Sequence, residues 1–218
     1  MKNASEVNLW SSEQHAREYL ERVDTIPHRA EGEATLLEFV PMDVRRILDL
    51  GSGGGRLLTL MKRNRPNAAL VALDFSPAML DTLRSHFGSE SVVTIVAHDF
   101  ATELPAMGQF DAVVSSFAIH HVPHERKRAL YQEIFAALAP SGVFCNLEHV
   151  ASPSAELHAA FLRAMPRKEE DPSNKLLDLE TQLAWLREIN FTDVDCHWKW
   201  RELALFAGVK PASSAGRG

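Results

Sequence analysis

The sequence predicts an α/β fold with a doubly wound sheet of seven strands, mostly parallel, and helices on both faces. Three observations favour it. From residue 46 to residue 149, short apolar runs that suit buried strands alternate with segments of helical periodicity. A glycine-rich turn joins the first strand to the helix after it. The last two strands are separated by too few residues for a crossover, so they must form a C-terminal antiparallel hairpin.

The composition fits one globular domain with a core. The chain has 218 residues, of which 45% are hydrophobic and 24% charged, and its formal net charge is −6. Because long basic runs are missing, nucleic acid is an unlikely partner. A homodimer is left open.

The cysteines and the N-terminal segment favour a cytoplasmic protein. Cys145 and Cys196 each lie in an apolar segment, which predicts two buried free thiols, and neither has a neighbour at metal-ligand spacing. Residues 1–10 lack the apolar core of a signal peptide, and no apolar run approaches membrane-spanning length. We therefore expect no membrane contact and no metal.

The segment from Arg46 to Gly55 reads Arg-Ile-Leu-Asp-Leu-Gly-Ser-Gly-Gly-Gly, a buried strand that runs into a glycine loop. Glycine reaches backbone angles that other residues avoid, and it lets a ligand lie against bare main chain. A dinucleotide fingerprint needs glycine at its first, third and sixth positions, but the sixth position counted from Gly51 is Arg56. This disfavours a nicotinamide oxidoreductase. A tight turn without a ligand remains an alternative.

Polar side chains end the successive strands. Asp74 ends the second strand, Asp99 follows the third, Ser116 ends the fourth, and Glu148 lies at the end of the fifth. The carboxyl ends of parallel strands meet at one edge of the sheet, where doubly wound folds bind ligands. A carboxylate at Asp74 suits a ribose, because it accepts hydrogen bonds from two hydroxyls. A helix-capping role for Asp74 is the alternative.

The alternation of Asp49, Gly51, Gly53 and Gly55 resembles motif I of the class I S-adenosylmethionine (SAM) dependent methyltransferases. The segment from Asp74 to Leu80, the pair Asp99-Phe100 and the closing hairpin are similar to later parts of the same family, so the resemblance covers nearly the whole chain. It implies a Rossmann-like fold, SAM as the cofactor and S-adenosylhomocysteine as the product.

The resemblance also implies roles. The glycine loop wraps the methionine half of the cofactor and Asp49 orients its amino group, while Asp74 holds the ribose. Phe75 borders the adenine, Asp99 receives its amine, and Phe100 packs on the ring. The full predicted cofactor set is Asp49, Gly51, Ser52, Gly53, Gly55, Asp74, Phe75, Met79, Asp99, Phe100 and Ser116.

Histidines supply the catalytic candidates. An acceptor must lose a proton before or during attack, and histidine suits that at neutral pH. We predict His120 or His121, in the loop after the fourth strand, as the base or as a group that orients the substrate. Two alternatives stay open: the pair only packs in its loop, or it joins Glu148 and His149 in a metal site.

Four segments divide the chain. Residues 1–40 are predicted to be a helical arm that closes over the site, with Tyr19, His28 and Arg29 as polar candidates or as incidental surface groups. Residues 41–210 form the SAM-binding domain, within which 150–178 are an insertion that forms a lid or merely a mobile loop. Residues 211–218 are predicted to be a disordered tail.

These predictions converge on a SAM-dependent methyltransferase that acts on a small-molecule acceptor, because the chain is acidic and carries a lid-like insertion. The alternatives are a non-catalytic SAM-binding protein and an enzyme like the carboxy-SAM transfer RNA enzymes, to which the chain is distantly similar. The latter needs an arginine for the additional carboxylate, and Arg29 and Arg201 are the candidates.

Overall fold

The computed structural model describes residues 9–166 and 168–213, with the side chain of Ser11 outside the description. The strands are β1 (Arg46–Leu50), β2 (Ala69–Asp74), β3 (Val93–Ala97), β4 (Phe110–Ser116), β5 (Leu138–His149), β6 (Thr192–Trp200) and β7 (Leu203–Val209). The α-helices are α1 (Glu13–Arg22), α2 (Arg29–Phe39), α3 (Arg56–Asn64), α4 (Pro77–Phe87), α5 (His124–Ala137), α6 (Ala155–Ala164) and α7 (Leu179–Glu188). Most of the predicted disordered tail, residues 214–218, lies outside the described residues.

The seven strands form one sheet in the order β3-β2-β1-β4-β5-β7-β6. Strands β1 to β5 pair in parallel, whereas β7 runs antiparallel to both β5 and β6. The predicted mostly parallel sheet with a C-terminal hairpin is therefore confirmed. The strand order reverses between β1 and β4, which places a crevice outside the carboxyl ends of these two strands.

Strand β5 begins earlier than the sequence pattern indicates. The sequence pattern predicts a turn at Ser141-Gly142 and then a strand over Val143–His149. In the structure, Leu138 already pairs with Phe110, and the register then shifts so that Ala112 pairs with Val143. Ser141, with a φ of 65°, lies within this irregular start. The predicted turn at Ser141-Gly142 therefore lies within β5.

Helices cover both faces of the sheet, as predicted. Successive strand residues such as Ile47 and Leu48 point to opposite faces, and each belongs to a different buried cluster. Helices α2, α3 and α4 pack on the first face, and α5 and α7 pack on the second. Because β1, β2 and β4 are buried on both faces, their sequences are nearly continuous apolar runs.

One of the two thiols is less buried than predicted. Cys145 lies in the core on β5, and burial raises its pKa to about 12. Cys196 is only half-buried, because β6 is the edge strand of the sheet. Among the described helices, none has the length and apolar character needed to cross a membrane.

A buried carboxylate ties α2 to the helix that follows the glycine loop. Glu33, on α2, is 2% exposed and accepts hydrogen bonds from Arg29 Nε at 2.7 Å and from Arg56 Nε and Nη2 at 2.8 Å. Arg56 also pairs with Asp24, which follows α1. Arg56 is the first residue of α3 and also the residue that breaks the dinucleotide fingerprint. Its ion pairs therefore join the predicted N-terminal arm to the end of the glycine loop.

We predict that Glu33→Gln lowers the free energy of unfolding by about 3 kcal/mol, because it leaves the buried guanidinium of Arg29 without its counter-charge. Urea denaturation measures the change. Glu31→Gln on the same helix is the matched control, since Glu31 is exposed and pairs only with the neighbouring His28. It should change stability by less than about 0.5 kcal/mol. Equal losses in the two variants would contradict the role given to Glu33.

Candidate active site

A cavity of about 420 Å³ lies outside the carboxyl ends of β1 to β4. Every residue of the predicted cofactor set lines it, from Asp49 to Ser116. The sequence therefore located the crevice correctly, because strand-end residues converge wherever parallel strands share an edge. Whether these residues hold the cofactor stays a prediction that the geometry alone does not test.

Glycine is required in the loop by close contacts. Gly51 has a φ of 69°, and a Cβ there would lie 2.3 Å from the Cβ of Ala118. Gly55 has a φ of 88°, and its Cβ would lie 2.5 Å from the ring of Phe87. Both contacts are shorter than any side chain tolerates, so the loop keeps bare main chain along one wall of the cavity.

Asp74 organises the glycine loop as well as lining the cavity. Its Oδ2 accepts a hydrogen bond from the Gly53 amide at 2.8 Å, and its Oδ1 accepts one from the Ser76 amide at 2.9 Å. Burial raises the pKa of Asp74, although the hydrogen bonds from Ser76 and Gly53 act against that rise. Asp74 is therefore not only a helix cap: it links the ends of β1 and β2.

Asp49 is a buried carboxylate without a hydrogen-bond partner. It is 1% exposed, and neither Oδ1 nor Oδ2 finds a donor among the described residues. Burial raises the pKa of Asp49 to about 7, and the negative charge of Asp74 acts in the same direction. An orphaned buried acid at the edge of a cavity indicates a place for a donor that the chain itself does not supply.

Arg29 is the functional candidate that the sequence undervalued. The incidental-surface interpretation is wrong for this residue, which is 4% exposed and lines the cavity. Its guanidinium donates to the Tyr19 hydroxyl at 3.0 Å and to Ser116 Oγ at 3.3 Å. The spacing of Arg29 and Glu33 on one helix was the available signal. His28 and Arg201 line neither cavity described here.

A second cavity of about 150 Å³ adjoins the first. The two share Trp10, Tyr19, Phe117 and His121. The predicted insertion, residues 150–178, supplies much of the remaining wall. Its lining residues include Phe161, Leu162, Met165, Glu170, Asp171 and Asn174. The insertion is therefore placed over the site, and its opening and closing as a lid stay a prediction.

His120 faces only the second cavity and is held by a carboxylate. Its Nδ1 lies 2.5 Å from Glu148 Oε1 in a buried pair. Burial lowers the pKa of His120 well below its ordinary value and raises the pKa of Glu148. The fully buried Lys127 faces the same carboxylate. His120 is thus engaged in an internal network.

His121 lies where the two cavities meet. Its ring packs 4.0 Å from the ring of His120 and 5.0 Å from that of Trp10. Its Nδ1 lies 3.0 Å from Ser173 Oγ. Burial lowers the pKa of His121 well below its ordinary value, and the neighbouring ring of His120 acts in the same direction, so the imidazole is neutral at pH 7.

The metal alternative finds no support in this arrangement. Among the described residues, no three His, Cys, Asp or Glu side chains are grouped so that they could hold an ion. Glu148 is paired with His120, and His149 Nε2 lies 2.9 Å from Glu202 Oε2. These side chains therefore pair with one another through hydrogen bonds.

Comparison with known proteins identifies the family. Residues 47–142 match the family model of a methyltransferase domain. The demethylmenaquinone methyltransferase of Clavibacter sepedonicus is 31% identical over 200 residues, which cover 82% of this chain and 79% of that protein. The carboxy-S-adenosyl-L-methionine synthase of Aeromonas hydrophila subsp. hydrophila is 28% identical over 191 residues, 78% of this chain and 76% of the synthase.

Among solved structures, human N-acetylserotonin methyltransferase in complex with SAM superposes with a TM-score of 0.70 at 17% identity. The alignment covers 94% of this chain but only 58% of that structure, so it supports the fold alone. With the family model, the 31% identical relative and the sheet order in agreement, the chain belongs to the class I SAM-dependent methyltransferases, and SAM is its methyl donor.

Proposed function

We propose that this enzyme transfers the methyl group of SAM to a small-molecule acceptor, with SAM in the first cavity and the acceptor in the second. The observation that carries the proposal is the junction of the two cavities at Tyr19, Phe117 and His121. Methyl transfer needs the donor and the acceptor held in line at one point, and two cavities that share a wall support such an arrangement. SAM supplies a methyl group already activated by a positive sulfur.

The charges of the first cavity fit the methionine end of SAM. An amino acid carries one ammonium and one carboxylate. The orphaned carboxylate of Asp49 would accept hydrogen bonds from the ammonium, and the guanidinium of Arg29 would face the carboxylate. The bare main chain at Gly51 leaves room for the ligand to approach closely. This fit supports the role that the family resemblance gives to Asp49.

The other end of the cavity suits a nucleoside. Asp74 would hold the ribose hydroxyls with the lone pairs that its two backbone contacts leave free. Phe75, Met79 and Phe100 supply apolar surface for the adenine, beside the half-buried Asp99. These residues all belong to the predicted set, and in the proposed arrangement its member Ser116 would lie next to the reacting centre.

The segments outside the sheet would enclose the reaction. Tyr19 on α1 and Arg29 on α2 reach the first cavity from the N-terminal arm, and the insertion 150–178 covers the second. We propose both as closing elements that exclude water around the transferred methyl. A mixture of small-molecule acceptors, assayed for S-adenosylhomocysteine release with transfer RNA as a parallel substrate, tests the function. Release with transfer RNA alone would overturn the small-molecule proposal.

One observation favours a second candidate. The similarity to carboxy-SAM synthases makes carboxy-SAM a second candidate ligand. The added carboxylate of that ligand needs a cation. Arg29 lines the cavity but is already assigned to the methionine carboxylate of SAM in the proposed arrangement, and Arg201 lies outside the cavity. Calorimetric titration with SAM and with carboxy-SAM separates the candidates: we expect tighter binding of SAM, and preference for carboxy-SAM would favour the alternative.

We predict that Asp74→Ala weakens SAM binding about 10–100-fold, because it removes charge-assisted hydrogen bonds worth about 1.5–3 kcal/mol and releases the amide of Gly53. Isothermal titration calorimetry gives the dissociation constant. Asp81→Ala is the matched control, because Asp81 is exposed on α4 and only pairs with Arg84. Unchanged affinity for SAM in Asp74→Ala would contradict the assignment of Asp74 as a SAM-binding residue.

We predict that Asp49→Asn weakens SAM binding yet stabilises the ligand-free enzyme at alkaline pH. The pKa of Asp49 is raised to about 7 in the folded protein, so its stabilising contribution is full below its ordinary pKa near 4 and is lost as the pH rises through 7. The stability that the variant gains should therefore be larger at pH 8.5 than at pH 5, by on the order of 1–3 kcal/mol.

Urea denaturation of both proteins without SAM at the two pH values measures this difference. Asp81→Asn, an exposed change of the same type, should show no such pH dependence. A loss of stability at pH 8.5 in Asp49→Asn would mean that the carboxylate is satisfied within the folded chain.

A further inference from the structure

Three side chains form a hydrogen-bonded series that ends where the two cavities meet. Asp171 Oδ1 accepts hydrogen bonds from Ser173 Oγ at 2.7 Å and from the Ser173 amide at 2.9 Å. Ser173 Oγ lies 3.0 Å from His121 Nδ1. Asp171 and Ser173 belong to the insertion, whereas His121 follows β4. The insertion therefore reaches the candidate base directly, across 52 residues of chain.

The series fixes where the protons lie. Although burial acts in the opposite direction, the side-chain and backbone hydrogen bonds of Ser173 lower the pKa of Asp171, so this carboxylate is ionised at neutral pH. The single hydroxyl proton of Ser173 is directed at Asp171. Ser173 Oγ can then only accept a hydrogen bond from His121, whose Nδ1 must carry the proton of the neutral ring. Nε2 keeps a lone pair, and within the described residues it makes no hydrogen bond.

Burial keeps His121 in this neutral state, although the carboxyl groups of Asp171 and Glu148 act to raise its pKa. His120 packs against its ring, Glu148 and Asp171 lie near as carboxyl groups, and His15 Nε2 lies 3.5 Å from Asp171 Oδ2 on the far side. His120 is buried and neutral like His121. A neutral imidazole with a fixed Nδ1–H is the form that accepts a proton at Nε2.

The second cavity selects by size and charge. Its volume of about 150 Å³ matches a cavity that holds one benzene-sized ring, and its walls include Ile26, Phe161, Leu162 and Met165. Asp171 and Glu170 present carboxylates to this cavity, and Arg22 presents a permanent cation. A carboxylate acceptor would meet this acidic edge with unfavourable electrostatics. A neutral group would not.

We propose that Asp171 and Ser173 position His121 as the base for a neutral, hydroxyl-bearing acceptor about one ring in size. The inference rests on the proposed function and names its substrate class. The acceptor oxygen forms a bond to the methyl carbon while the carbon–sulfur bond breaks and leaves its electron pair on sulfur. The hydroxyl proton passes to His121 Nε2, from which water removes it. Asp171 and Ser173 touch no reacting atom and are positioning residues.

Long-range ¹H–¹⁵N spectroscopy of the histidine rings tests the proton positions without any acceptor. We expect wild-type His121, assigned through His121→Gln, to show a protonated Nδ1 and an unprotonated Nε2 at pH 7. Ser173→Ala should populate the other tautomer, and Ser173→Thr should restore the wild-type pattern. An Nε2–H tautomer in the wild type, or no change in Ser173→Ala, would overturn the series.

Ser154→Ala is the matched control for the spectra. It removes another serine hydroxyl from the same insertion, where Ser154 caps α6 by accepting from the Leu157 amide at 3.3 Å, and it lines neither cavity. The His121 pattern should be unchanged in this variant. A shift equal to that of Ser173→Ala would show that general loosening of the insertion is responsible, and it would refute direct positioning.

Matched one-ring probes test the acceptor class. SAM is titrated first, since failure to bind would overturn the proposed function itself. With S-adenosylhomocysteine bound, we expect phenol to bind at least tenfold more tightly than benzoate at pH 7.5. Asp171→Asn should reduce the ratio of the two affinities, because it removes the negative charge that disfavours benzoate. Equal or tighter binding of benzoate, with SAM binding intact, would refute the acceptor class alone.

Discussion

The site depends on one constraint: the glycine turn after β1 packs tightly against the segment that follows β4. At Gly51 the backbone approaches Ala118 so closely that no side chain fits, and the amides of Gly51 and Ser52 are anchored on the Leu73 carbonyl at 2.9 and 3.0 Å. Asp74 then holds the amide of Gly53. These contacts fix the turn at the strand ends, where the first cavity lies.

The same crevice costs the ligand-free protein stability. Burial raises the pKa of Asp49, Asp74 and Glu148, so ionising these three carboxyl groups costs more free energy in the folded protein than in water. His120 and His121 are held neutral by the same burial, which lowers their pKa. Proteins tolerate such groups where function needs them, and the compensating interactions come from the well-packed sheet beneath.

Much of this could be predicted from the sequence, for physical reasons. Apolar runs, glycine angles and strand-end acids are local signals, and Gly51, Asp74 and Asp99 were found through them. The burial of Arg29 was not, because it depends on contacts to Ser116, 87 residues away. Nor did the pattern separate His120 from His121: their different partners, Glu148 and Ser173, come from distant segments. The exposure of Cys196 follows from its place on the edge strand, which strand order alone reveals.

The main chain at Lys175 has a further consequence. Its amide donates to the His120 carbonyl at 2.7 Å, and its own carbonyl accepts from the buried Lys127 Nζ at 3.0 Å. The far end of the insertion is thereby clamped to the body of the protein by groups that do not depend on the identity of its side chains. The stretch before this clamp can therefore change in length or sequence while residues 175 and 120 stay in place, and under the proposed function such changes would alter the acceptor cavity before the SAM cavity.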